Sequence, residues 1–341
     1  MPAFDPSAAA LPGSGAFGLP HSEDEARVVL VPVPFEATTS YGGGAARGPE
    51  AIREASRQVD LYDVETGRPY QAGIHMLPSP PDLAALDRAA RVQAELVIAA
   101  GGVAPDRPDL LAAAARVNQA SERMNRWVEG QVARLLAGGK RVGLVGGDHS
   151  VSLGAIAAQA QVHPGLGVLH LDAHADLRDA YEGFAFSHAS IMRNVAEHVS
   201  GVARIVQVGI RDLSDDEAAY VEGSAGRVVT FHDQVLAQAR FDGEGWGAQV
   251  ARIVAALPRE VHLSFDIDGL DPALCPHTGT PVPGGLSFQM ACGLLRGVVA
   301  SGRRIVGFDL VEVAPGPEGD EWDANVGARL LYKMIGWMLK S

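Results

Sequence analysis

The chain has little cysteine, a shortage of basic residues and no long apolar run, and each shortage excludes a class of protein. Two cysteines in 341 residues, Cys275 and Cys292, give no disulfide framework and no closed Cys/His tetrahedron for structural zinc. They fit a reducing compartment, and the chain is expected to be cytoplasmic. No stretch reaches the roughly 18 apolar residues of a membrane span. The start, Met1-Pro2-Ala3-Phe4-Asp5-Pro6, has neither the basic residues nor the apolar core of a signal peptide. Lys and Arg number 28 against 41 Asp and Glu, a formal charge of -13. No basic stripe is available to neutralise phosphates, so nucleic acid is not expected as a partner, whereas a negative field raises the encounter rate of a cationic substrate.

What is present is core material. A hydrophobic content of 47% with 20% charged residues excludes disorder for most of the chain. Residues 1–26, rich in Ala, Pro, Gly and Ser, read as a flexible arm, and 27–341 as one domain. Val28-Val29-Leu30-Val31-Pro32-Val33 reads as a strand, followed by a loop through Gly42-Gly43-Gly44 and a helix carrying Ile52, Ala55 and Val59 on one face. No Gly-Lys-Ser/Thr follows those glycines, so a nucleotide-binding loop is not expected. Two Ala- and Leu-rich helices fill Pro81 to Ala137, interrupted at Gly101-Gly102 and from Pro105 to Pro108. After Ser150, strands at 166–171, 203–209, 227–231, 260–267 and 303–310 alternate with helices at 151–162, 188–199, 214–222, 246–256, 287–300 and 322–339. That alternation predicts a three-layer α/β/α fold with a largely parallel central sheet.

Three strand ends carry chemistry. Gly167-Val168-Leu169-His170-Leu171-Asp172-Ala173-His174-Ala175-Asp176 is an apolar run ending in three metal-grade side chains at alternate positions, which places Asp172, His174 and Asp176 on one face. Arg141 to Ser150 ends in Gly146-Gly147-Asp148-His149, and Val261 to Pro272 carries Asp266 and Asp268. Open α/β sheets bind ligands at the carboxyl ends of their strands, so the three can meet in one crevice. Carboxylates and imidazoles crowded there repel and desolvate one another unless a cation compensates. With Asp148 and Asp271 set aside as turn-formers, two His and four Asp suit a pair of hard divalent ions such as manganese.

These stretches, with Gly279-Thr280-Pro281-Val282-Pro283-Gly284-Gly285-Leu286 and Asp309-Leu310-Val311-Glu312-Val313, resemble the signatures of the ureohydrolases, the arginase and agmatinase family. The likeness runs from about Val29 to the C-terminus. It implies two Mn2+ per subunit held by His149, Asp172, His174, Asp176, Asp266 and Asp268, with attack of water on a guanidinium carbon to release urea and an amine. It further implies that Glu312 orients the guanidinium and that His188 supplies the proton the amine needs, an imidazole titrating in the useful range. The segment Tyr181 to Ser190 looks like agmatinases, which implies a small cationic guanidino substrate, agmatine converted to putrescine and urea. Asp179 and Glu182 are candidates for its distal ammonium. Arg178 leaves guanidinobutyrate open, and arginine or free guanidine remain rivals, as does a noncatalytic metal-binding relative. His277 stands where relatives carry a small residue and is a candidate to line the pocket. Relatives form trimers and hexamers, so a homo-oligomer is implied.

Overall fold

A computed structural model describes residues 4–11 and 13–341. Among them the Val-, Ile- and Leu-rich runs form eight parallel strands: β1 (Val28–Val33), β2 (Ile74–Met76), β3 (Arg141–Gly146), β4 (Leu166–Leu171), β5 (Val202–Ile210), β6 (Val228–His232), β7 (Glu260–Asp266) and β8 (Arg304–Val311). Every residue of β1 and of β4 is buried, as expected of strands covered on both faces. One layer of helices holds α2 (Pro81–Ala99), α3 (Pro108–Ala137), α4 (Ser152–Val162) and α5 (Ile191–His198). The other holds α1 (Gly48–Ser56), α8 (Trp246–Ala255), α9 (Phe288–Ala300) and α10 (Trp322–Lys340). Two short helices, α6 (Asp215–Gly223) and α7 (Asp233–Phe241), flank the β6 edge. Proline opens α1, α2 and α3 within their first two residues, where its missing N–H is not needed. The three-layer α/β/α architecture is that expected from the alternation of elements.

The strand order β2-β1-β3-β8-β7-β4-β5-β6 positions the site. From β3 the chain leaves a gap, builds β4, β5 and β6 outward, then returns to fill the gap with β7 and β8. The carboxyl ends of β3, β8, β7 and β4 therefore lie side by side, although residues 146 and 311 are far apart in sequence. A crevice at such a reversal of strand order is where ligands bind in open α/β sheets.

Two details depart from expectation. The helix α7 and the short edge strand β2 are not legible in the residue pattern. In α7 only Asp233 and Leu236 are buried, so it has almost no apolar face, and β2 has three residues. Part of the expected flexible arm is held down: Phe17 is buried against Tyr332 with ring centroids 5.0 Å apart, and its N–H donates to Ser56 Oγ at 2.8 Å. Arg57 fixes the same stretch by donating from Nη2 to the Ser14 carbonyl at 2.9 Å. A Phe and a Leu, Phe17 and Leu19, supply apolar area that composition alone undervalues. Residues 1–3 and 12 of the arm lie outside the described residues.

Candidate metal centre

The end of β3 is shaped by Gly147, where a Cβ would come within 2.0 Å of the Phe35 carbonyl oxygen. Only glycine fits that approach. Asp148 then caps the turn, accepting from Ser150 N at 3.1 Å and from Thr38 Oγ1 at 3.0 Å, which leaves His149 facing the crevice. At β7, Asp266 Oδ1 accepts from Asp268 N at 2.9 Å and Asp268 Oδ1 from Ala173 N at 2.9 Å. These bonds leave the second oxygens, Oδ2, for the crevice. At β4 the expectation of simple alternation needs correction. The strand ends at Leu171, and Asp176 adopts a left-handed backbone at φ 55°. Asp172, His174 and Asp176 converge because the loop turns, not because a strand continues.

The result is two adjoining donor sets. His149 Nδ1 lies 3.0 Å from Asp172 Oδ2, 3.1 Å from Asp176 Oδ2 and 3.4 Å from Asp266 Oδ2. His174 Nδ1 lies 3.4 Å from Asp172 Oδ1 and 3.1 Å from Asp268 Oδ2. Asp172 thus offers one oxygen to each set. All six predicted residues are brought together, and all but the half-buried His174 are at most 5% exposed.

Ligand-ready orientation is enforced from behind. Ser264 Oγ donates to Asp309 Oδ1 at 2.8 Å, so toward His149 Nε2, at 2.9 Å, it can only accept. His149 Nε2 therefore carries a proton, and Nδ1 is the ring nitrogen directed among the three aspartates. Asp309 is in turn braced by His262 Nε2 at 2.7 Å. Although burial alone would raise it, the hydrogen bond and charge of His262 hold the Asp309 carboxyl below its ordinary range. Asp309 appears in the sequence only as part of a signature and Ser264 and His262 are given no role there, since strand register alone brings Ser264 and Asp309 behind His149 and His262 to Asp309.

The donor set fits divalent cations. Burial, then Asp268 and Asp172, pushes the Asp266 carboxyl well above the ordinary range, and burial with Asp172 raises Asp176 to about 6. These carboxylates are unstable as anions beside one another, and hard cations with oxygen and imidazole ligands remove that conflict.

Glu312, at φ 62° beyond β8, accepts from His149 N at 2.9 Å through Oε1. Burial first, then Asp266 and Asp148, raises its carboxyl well above normal. A Cβ on Gly279 would stand 3.7 Å from its Oε2, and Gly279 accepts from Gly42 N at 3.1 Å, so two glycine loops flank the free oxygen. His188 is anchored by its own N–H to Thr38 Oγ1 at 3.2 Å. Burial, with His174 and His149 nearby, lowers its pKa to about 4.

The remaining candidates divide. Glu182 is half-buried at φ 55°, and its Oε2 is buried without a hydrogen-bond partner. Asp179 is exposed and lines a surface hollow of about 480 Å³ with Arg178, Arg193 and Ser214, none of them a donor of the metal sets. His277 gives its polar contacts to α10: its N–H reaches Asp323 Oδ1 at 3.0 Å and its Nδ1 lies 2.8 Å from Asp323 Oδ2. The His277 ring is therefore held by α10. The acid that captures it, Asp323, stands in the first turn of that helix.

Comparison with known proteins agrees with this geometry. The sequence model of the Arginase family matches residues 26–336. The chain is 33% identical over 315 residues to the N(1)-aminopropylagmatine ureohydrolase of Thermus thermophilus, covering 92% of this chain and 90% of that protein. It is 32% identical over 331 residues to the agmatinase of Cronobacter sakazakii, covering 94% and 93%. Among solved structures, the agmatine ureohydrolase of Thermoplasma volcanium superposes with a TM-score of 0.72 at 25% identity, over 94% of this chain and 92% of that one. With its fold, its crevice and nearly its whole length accounted for, the chain belongs to the Arginase family and is an amidinohydrolase that acts on linear amidines.

Proposed function

We propose that the chain hydrolyses the guanidino group of agmatine to putrescine and urea, using two Mn2+. The observation that carries this reading is the pair of donor sets joined through Asp172, with the Glu312 carboxylate next to them. His149, Asp172, Asp176 and Asp266 would hold one ion, and Asp172, His174 and Asp268 the other. Bound there, the ions supply Lewis acidity and lower the pKa of coordinated water toward neutrality.

The protein's own groups do the rest. Glu312 is fixed through Oε1 and offers Oε2 to a planar guanidinium, whose paired N–H groups suit a carboxylate. His188, kept neutral by burial among imidazoles, takes the proton released by the attacking water and passes it to the nitrogen of the breaking C–N bond. Urea and a protonated amine leave, so atoms and charge balance.

The tail of the substrate is assigned from charge. Arg178, which would favour an anionic tail, has its Nε 3.7 Å from Glu217 and its guanidinium 5.0 Å from the Tyr181 ring. Glu182 and the acidic surface favour a tail ending in ammonium, as in agmatine and its aminopropyl derivative. Urea release from agmatine, aminopropylagmatine, arginine, guanidinobutyrate and guanidine by Mn2+-loaded protein tests the reading. The two amines should give the highest kcat/KM. Faster turnover of arginine or guanidinobutyrate would discard the assignment of the tail, and inactivity on all five would discard the reaction.

A further inference from the structure

His170 is as close to the first donor set as any ligand in it, with Nε2 2.8 Å from Asp172 Oδ2. By proximity alone it is a fifth candidate ligand. What lies behind it decides otherwise. Thr230, Gln207 and His170 are register partners across β6, β5 and β4, so their side chains stand in a row on one face of the sheet. Gln207 Nε2 lies 2.6 Å from the Ala175 carbonyl oxygen and 3.1 Å from His170 Nδ1, and its Oε1 accepts from Thr230 Oγ1 at 2.8 Å. A carbonyl oxygen only accepts, so the amide cannot be turned round: a flip would set two oxygens against each other in a fully buried place. Gln207 therefore donates to His170 Nδ1, which must carry the lone pair. The ring proton is on Nε2, and it is aimed at Asp172.

From this geometry we infer that His170 is a positioning residue for the metal centre and not a ligand, with its tautomer set by Gln207 and Thr230. Resting on the reading that Asp172 holds both ions, the role is specific. Asp172 receives a fixed N–H on Oδ2, which sets the carboxylate plane between His149 on one side and His174 on the other. A histidine free to choose its tautomer would compete for the ion with a lone pair two residues from Asp172.

Two measurements test this on the full chain. In protein labelled with nitrogen-15 at histidine, the His170 resonances, identified by their loss in His170→Gln, should report Nε2–H and a bare Nδ1. They should do so both without metal and with diamagnetic Zn2+. Removing the amide donor in Gln207→Met should lower Mn2+ affinity by about 10- to 100-fold. Thr230→Val, which removes only the outer support of the amide, should lower it less, and Thr230→Ser should behave as wild type. Loss of the Nε2 proton on zinc binding, a proton on Nδ1, or wild-type Mn2+ affinity in Gln207→Met would overturn the inference. Should Gln207→Met fail to fold, the wild-type tautomer and Thr230→Val still decide. A wild-type chain that binds neither ion would instead overturn the metal assignment itself, taking this role with it, whatever tautomer is observed.

Discussion

Glu312 and Asp176 both hold left-handed backbone, a region that residues with side chains rarely occupy. Each is pinned: Glu312 N donates to the Gly147 carbonyl at 2.8 Å, and the Asp176 carbonyl accepts from Met192 N at 3.0 Å. Such local strain persists only where surrounding contacts fix it, and here it aims a carboxylate into the crevice. His188 belongs to the same scale. If it only moves a proton, His188→Ala should lower kcat by about 10²- to 10⁴-fold while bound metal, read by elemental analysis, stays at the wild-type level. Parallel loss of metal would make it a structural residue instead. The sequence motifs name His149, Asp172, His174, Asp176, Asp266 and Asp268, because acids and imidazoles at the ends of apolar runs are conspicuous. Ser264 and His262 lie inside one of those runs, β7, while Gln207 and Asp309 lie inside the neighbouring strands β5 and β8. Only the register of five strands places them behind the candidate ligands, and no pattern within one segment contains that register.

Secondary-structure elements carry the next level of control. The N-terminus of α6 has a reciprocal cap in which Ser214 and Glu217 satisfy each other's backbone, Ser214 N donating to Glu217 Oε2 at 2.8 Å. The other oxygen of Glu217 accepts from Leu177 N at 2.9 Å, directly after Asp176. A helix cap thereby holds the loop of the metal centre. Ser214→Ala should cost about 1 kcal/mol in thermal or denaturant unfolding and leave Mn2+ affinity unchanged. Glu217→Ala strands two N–H groups and should cost about 2 kcal/mol or more while also weakening Mn2+ binding. Unchanged Mn2+ affinity in Glu217→Ala would show that α6 acts on stability alone. Legibility at this level follows burial. Strands such as β4 and β7 are almost wholly buried, and their Val, Leu and Phe residues between the polar ones read clearly as strand. By contrast α7 presents Phe241 to solvent at 81% exposure and has no periodic apolar stripe to read.

Over the whole molecule, acids cost stability where no cation answers them. Burial first, then Asp148 and Glu36, raises Asp87 to about 7, against the opposing hydrogen bond from Glu36 N at 2.7 Å. A carboxyl whose folded pKa exceeds its unfolded one contributes stability below the unfolded pKa, and that contribution is lost as pH rises through the folded value. Between about pH 4 and pH 7 the wild type should therefore lose stability relative to Asp87→Asn, by up to roughly 4 kcal/mol. Melting curves of the two proteins across that range check the sign. A difference that grows in favour of the wild type with rising pH would refute it.

Metal linkage works in the same currency on the cluster of aspartates. Chelated protein should melt lower, and Mn2+ at about 100 times its dissociation constant should return about 2.7 kcal/mol. The most direct measurement is a crystal structure of the Mn2+-loaded protein with an anomalous difference map. Two peaks should appear, one enclosed by His149, Asp172, Asp176 and Asp266 and the other by Asp172, His174 and Asp268, with His170 outside both coordination spheres. A map without a peak among these residues, or with a single ion held elsewhere, would contradict the account at its foundation.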